Sequence, residues 1–342
     1  MTAPVNHLDK LAIVQIDFDI WSGQVKLDDP DIKLGSGGEL PPKDLVELGR
    51  KYVIGREHLK PFSRLKTKAR RLCLSRGMTF MNGFAVPIDR IDQICTELDK
   101  IADEMSHLKT NFLSNYDQWI QDWQAKNPGY AQAIRSGVLT KDIVKKRIGF
   151  DYQVFQVNPV SETESNKLNS MASGLAGELM DEIVSEASEF FHKSLKGKDS
   201  CSLITQKTLK RIRDKVDGLS FLDSRFFSVV KLLNQTITGY PATGPVKGEQ
   251  FYKILSAALI LSAHDKIKDY ASGVVDVDSM ANSFMLDGQD DTQTPLLVPD
   301  NVVSLDTVEQ HSSQEVELPG DDDIDSFFQN HAAGGNSANS FF

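Results

Sequence analysis

A chain of 342 residues with 40% in the hydrophobic class is long enough for one large or two modest domains with real cores. Its three cysteines, Cys73, Cys95 and Cys201, are too few and too scattered for a disulfide framework, and none forms a C-x-x-C pair, so a reducing, cytoplasmic setting is expected. The formal charge of −10 is unevenly held: residues 276–342 contain fourteen acids and no Lys or Arg, leaving −14 on the tail and +4 on everything before it.

The opening "MTAPVNHLDK" lacks a basic flank followed by an apolar run. The most apolar helical stretch, "ILSAALILSA" at 254–263, falls short of the ~20 residues of a membrane span, so a soluble protein is expected. Residues 11–20, "LAIVQIDFDI", put Val14, Ile16, Phe18 and Ile20 on one face and Gln15, Asp17 and Asp19 on the other, the alternation of a half-buried strand. A turn at Ser22-Gly23 predicts that "QVKL" returns beside it as a hairpin.

The next segment, "LKPFSRLKTKARRLCLSRG" at 59–77, carries Lys60, Arg64, Lys66, Lys68, Arg70, Arg71 and Arg76 without an acid among them. As a helix after Pro61 it turns Phe62, Leu65, Ala69, Leu72 and Cys73 inward and its bases mostly outward. Such a face attracts phosphates and gives salt-dependent binding through counterion release. With no groove-reading motif beside it, any contact with DNA would follow the backbone and be non-specific in sequence. The alternative is a solvated face answered by acids elsewhere in the chain, the −14 tail included.

After Pro87, apolar residues recur every seven: Ile91, Leu98, Met105, Phe112 and Trp119, with a second row at Ile94, Ile101, Leu108, Tyr116 and Trp123. One long helix from Ile88 to Lys126 follows, closed by Asn127-Pro128-Gly129. Its partner is either the same chain, as a helical hairpin or bundle, or a second chain in a coiled coil. The alternating run "IGFDYQVFQV" at 148–157 predicts a strand paired with the first and ended by Asn158-Pro159. Helices are then expected at 166–196, where Leu168, Met171, Leu175, Leu179, Ile183, Ala187, Phe190 and Phe191 form a stripe, Ser173, Gly174, Ala176 and Gly177 allow close backbone approach, and Gly197 is the stop. Further helices are expected at about 205–217, 222–237 and 247–270. The fold class is mainly α with a small antiparallel sheet. The expected parts are a strand-flanked long-helix domain at 1–160, a helical bundle region packed on it at 161–272, and a disordered acidic tail at 273–342.

Chemistry finds little footing. "GYPATGPVKG" spaces Gly239 and Gly244 like a phosphate loop, but Pro245 stands where the lysine belongs and no Ser or Thr follows. The seven histidines show no metal spacing, the two carboxylates of "DFD" at 17–19 suit the wet side of a strand, and there is no G-x-S-x-G. No cofactor, metal or catalytic residue is expected. Smaller basic clusters sit at Lys145, Lys146 and Arg147, and at Lys207, Lys210, Arg211, Arg213 and Lys215.

Taken in order, "LKPFSRLKTKARR", "FMNGFAVP", "FLSNYDQWIQDW" and "FDYQVFQV" resemble the domain-of-unknown-function family 3150 (DUF3150) over about residues 10–270. The resemblance implies a phage or conjugative-element protein with no assigned reaction, and a setting beside AAA+ ATPases of the MoxR type or recombination genes. The acidic tail lies outside it. That tail repeats "NSFM" at 282–285, "DSFF" at 325–328 and "NSFF" at 339–342. Rings spaced beside carboxylates suit a docking peptide, with Phe284, Phe327, Phe328, Phe341 and Phe342 as anchors and Asp321, Asp322, Asp323 and Ile324 as the steering run; the alternative is a tail that aids solubility or folds back on residues 60–76. The tip of bacterial single-stranded-DNA-binding proteins is similar in its acids and Ile, though this chain runs on past them. The sliding-clamp peptide is similar in the spacing of Ile324, Phe327 and Phe328, though Asp321 holds its glutamine position. The expected function is a non-enzymatic adaptor in mobile-element DNA metabolism. The alternative is a structural or self-assembling coiled-coil protein without nucleic acid.

Overall fold

A computed structural model of the chain describes residues 7–27 and 49–287. Strand β1 (Leu11–Asp19) lies inside an antiparallel sheet of order β4-β5-β1-β6, with β4 at Met78–Phe80, β5 at Gly83–Pro87 and β6 at Gly149–Phe155. The expected pairing of the two alternating runs is present, with Val14 opposite Val154 and Phe18 opposite Phe150. The Phe18 and Phe150 rings stack at 4.3 Å.

The return expected from "QVKL" does not pair with β1. Strand β2 (Gln24–Lys26) instead meets β3 (Arg50–Tyr52), Gln24 opposite Tyr52. Two causes are visible. Both edges of β1 are taken, by β5 and β6, and Trp21 is buried beside Phe112 and Tyr116, which draws the chain away from the sheet. The pair β4 and β5 forms a tight hairpin whose two loop residues, Met81 and Asn82, have φ of 49° and 62°, the signature of a type I′ turn. Gly83 follows because a Cβ there would stand 2.9 Å from the Val14 carbonyl oxygen.

Helix α1 (Lys60–Leu74) and helix α2 (Ile91–Lys126) cover one face of the sheet. At 1.5 Å per residue, the 36 residues of α2 span roughly 54 Å. Its buried stripe, Ile94, Leu98, Ile101, Met105, Phe112, Tyr116 and Ile120, packs with Phe62 and Leu65 of α1 and with Val14, Phe84 and Val86 of the sheet. Each such side chain contributes about 1.5–3 kcal/mol on burial. Farther along, α3 (Ala131–Gly137) and α4 (Lys141–Lys146) add Ile134 and Val144 to the same core, and the Tyr116 hydroxyl donates to the Leu139 carbonyl at 2.8 Å. The seven-residue rows of α2 are thus covered by the chain's own residues.

The other face of the sheet offers Leu11, Ile13, Ala85, Met78 and Phe80 to a second core. It is built from α5 (Glu162–Phe190), α6 (Thr205–Gly218), α7 (Arg225–Thr238), α8 (Gly248–Leu261) and α9 (His264–Ala271). On α5 the core residues are Ala172, Leu175, Leu179, Met180, Ile183, Ala187 and Phe190, while Met171 is 49% exposed. Among the described residues nothing lies within 4 Å of where a Cβ would stand on Gly174 or Gly177, so the close backbone approach expected there is not made. A five-residue π-helical turn, Phe191–Leu195, ends at Gly197 with φ of +70°. The single helix expected at 247–270 is broken at Ala263, which is extended. The phosphate-loop look-alike forms turns and the two-residue strand β8 (Val246–Lys247), paired with β7 (Ser200–Cys201).

Disorder expected from residue 273 needs correction over 273–287. Helix α10 (Val277–Asp287) packs there, with Ala281 fully buried and Lys253 of α8 reaching Asp278 at 3.0 Å. Composition averaged over the whole tail hid a short helical stripe, Val277, Met280, Ala281 and Phe284, that finds a partner on α8. Residues 288–342 lie outside the described residues. Among those described, no helix is long and apolar enough to cross a membrane.

Candidate nucleic-acid interface

Helix α1 forms as its pattern requires. Pro61 occupies the first turn, Phe62, Leu65, Ala69 and Cys73 are buried at spacings of three and four, and the bases are left to the outside. Burial pushes the Cys73 thiol up to about 12, so it is packing and not a nucleophile. Lys60, Arg64, Lys66, Lys68, Arg70 and Arg71 are all exposed. Lys68 meets Glu104 of α2 at 2.7 Å, with both side chains about half exposed, which makes it a surface pair of small energy. Among the described residues, Lys60, Lys66 and Arg71 have no carboxylate within 4.0 Å. The helix therefore presents a ridge of positive charge on a rigid, core-anchored element.

Arg76 stands apart from that ridge. It lies beyond the end of α1, donates to the side-chain carbonyl of Gln93, and enters a cleft of about 500 Å³ with Arg90, Lys207, Lys210 and Arg211. Ser75, Gln93, Asp214 and Gly218 complete the lining. In the sequence Arg76 falls with α1 and the α6 bases form a separate cluster; the fold joins them. No spacing rule reveals this, because the three contributing segments are far apart in the chain.

Three bases of α6, Arg211 of the cleft among them, are paired with acids. Lys215, with its side chain only 9% exposed, reaches Glu182 at 2.5 Å, Arg211 reaches Glu186 at 2.5 Å, and Arg213 holds Asp214 at 2.6 Å and Asn234 at 2.8 Å. The first two pairs tie α6 to α5. Burial pushes the Glu186 carboxyl above its ordinary value, against the pull of Arg211.

Phe284, expected as an anchor in an unstructured chain, is half-buried on α10, and "NSFM" is helical. That expectation is corrected. Asp321, Asp322, Asp323, Ile324, Phe327, Phe328, Phe341 and Phe342 lie outside the described residues. Asp17 and Asp19 are exposed on β1, as a half-solvated strand requires, and among the described residues no group of three or more His, Cys, Asp or Glu is placed to hold a metal ion.

Residues 8–263 match the family described as "Protein of unknown function (DUF3150)". No curated protein and no solved structure matches the chain.

Proposed function

We propose, from the premise that the chain belongs to the DUF3150 family, that it is a non-enzymatic adaptor of a phage or other mobile genetic element. Its body would hold nucleic-acid backbone, and its acidic tail would dock on a partner protein. DNA recombination or replication is the process this fits, with an AAA+ ATPase of the MoxR type as a candidate partner. Three free thiols accord with a cytoplasmic setting.

The observation that carries this proposal is α1: its apolar face is spent on the core, and on its exposed side Lys60, Lys66 and Arg71 have no carboxylate within 4.0 Å among the described residues. The self-assembling coiled coil has less support, since the stripe on α2 is covered within the chain. Charge reversal at Arg64, Lys66, Lys68, Arg70 and Arg71 in the full chain tests the first part. Retention of a single-stranded oligonucleotide at low salt should fall by at least a hundredfold, and retention by the reversed protein would refute it. For the tail, Phe327, Phe328, Phe341 and Phe342 changed to Ala should weaken capture of a purified MoxR-type ATPase and leave the melting temperature unaltered. A large drop in melting temperature would mark those rings as core.

A further inference from the structure

We propose that the cleft between the end of α1, the start of α2 and α6 is a phosphate-binding site, sized for two linked phosphoryl groups. It deepens the function proposed above, and it rests on that reading only for the source of the phosphate, a nucleic-acid strand.

The site is built from one face of α6. Lys207, Lys210, Arg211, Asp214 and Gly218 stand at spacings of three, four, seven and eleven, while Leu209, Ile212 and Val216 are buried behind them. Facing them are Arg76 and Arg90. The lining thus sets five cations beside one carboxylate, Asp214, which Arg213 holds from outside at 2.6 Å, while outside the lining Glu186 pairs with Arg211 and both Asp89 and Asp217 pair with Arg90. Like charges gathered this closely repel one another, and an anion between them removes the repulsion.

The guanidinium groups are also held in place. Glu186 braces Arg211 at 2.5 Å, Asp217 braces Arg90 at 3.4 Å, and the Gln93 amide oxygen accepts from Arg76. Fixed, planar donors of this kind suit phosphate oxygens. Lys207 and Lys210 differ from them: both are exposed, and among the described residues neither has a carboxylate within 4.0 Å. They supply mobile charge to a preset fork. Gly218 completes the lining, where a Cβ would make ordinary contacts with Pro87 at 3.5 Å and Arg90 at 3.9 Å. A volume of about 500 Å³ takes a small ligand or a short run of backbone and excludes a duplex.

The test uses the full chain, with inorganic pyrophosphate in a calorimeter and a fluorescein-labelled single-stranded oligonucleotide followed by anisotropy. Pyrophosphate should bind one to one. Lys207→Gln with Lys210→Gln should weaken it tenfold or more, as should Arg76→Gln alone, while Lys266→Gln with Lys268→Gln on α9 should not. Melting temperatures equal to the parent's certify that the variants are folded. If the oligonucleotide displaces pyrophosphate, the phosphate comes from a nucleic-acid strand. If pyrophosphate binds and the oligonucleotide neither binds nor competes, the site stands with free polyphosphate as its ligand and the nucleic-acid proposal falls. Absence of pyrophosphate binding, or equal binding by the folded Lys207→Gln, Lys210→Gln protein, overturns the site whatever the oligonucleotide does.

Discussion

On α6, Lys215 and Arg211 reach back to Glu182 and Glu186 and fasten two helices together; on α1, Lys60, Lys66 and Arg71 meet no carboxylate among the described residues. In the sequence the two segments look alike, each a short helix dense in Lys and Arg. The difference lies in where the neighbouring acids fall. Glu182 and Glu186 are four apart on α5, so both point at α6, where Arg211 and Lys215 are four apart as well. On α1, Lys68 meets Glu104, and no such matched row of acids stands against Lys60, Lys66 and Arg71 among the described residues. A basic helix is thus a structural clamp where an acidic helix runs beside it in register, and a candidate ligand surface where none does.

The sharpest way to break this contrast is to remove one lysine from each helix. Lys215→Ala should cost about 2 kcal/mol in urea denaturation, less than the ~3–5 kcal/mol of a fully buried pair because Glu182 is 36% exposed. Lys66→Ala should stay within about 0.5 kcal/mol of the parent. Equal losses would mean that α1 is a clamp too.

A smaller effect separates the acids by pH. Glu186 is raised by burial, so the folded state holds its proton longer than the unfolded chain does, and stability falls as pH climbs from about 4.5 through the raised value. Asp223 is lowered, first by its hydrogen bonds from Arg225, so its contribution is present above about 3.8 and is lost as pH falls below that. Melting temperatures across pH 3–7 should therefore lose part of their high-pH decline in Glu186→Gln and part of their acid decline in Asp223→Asn. Opposite assignments would show that the clamp does not bury Glu186.

Much of the fold was legible where local pattern and tertiary demand coincide. The alternation of β1 and β6 and the seven-residue rows of α2 marked elements that each bury one continuous face. The hairpin at Met78–Pro87 has its local signal in Met81-Asn82-Gly83, but all five residues of β5 are buried, so no alternation marks the strand beside it. The partner of β2 was illegible because pairing depends on which edges are vacant. For the candidate site, the outward bases of α1 followed directly from helix period. The cleft did not, since Arg76, Arg90 and Lys207 come together only when the sheet carries a core on each face.

The most direct test is the salt dependence of single-stranded oligonucleotide binding to the full chain. If the exposed bases of α1 meet phosphates, log Kd should rise with log salt at a slope of about 0.7 per phosphate, totalling about 2 or more, and Lys66→Ala with Arg71→Ala should reduce that slope by about 1.4. Absence of binding at low salt, or a slope that those two substitutions leave untouched, would contradict the assignment of α1 as the phosphate-facing surface.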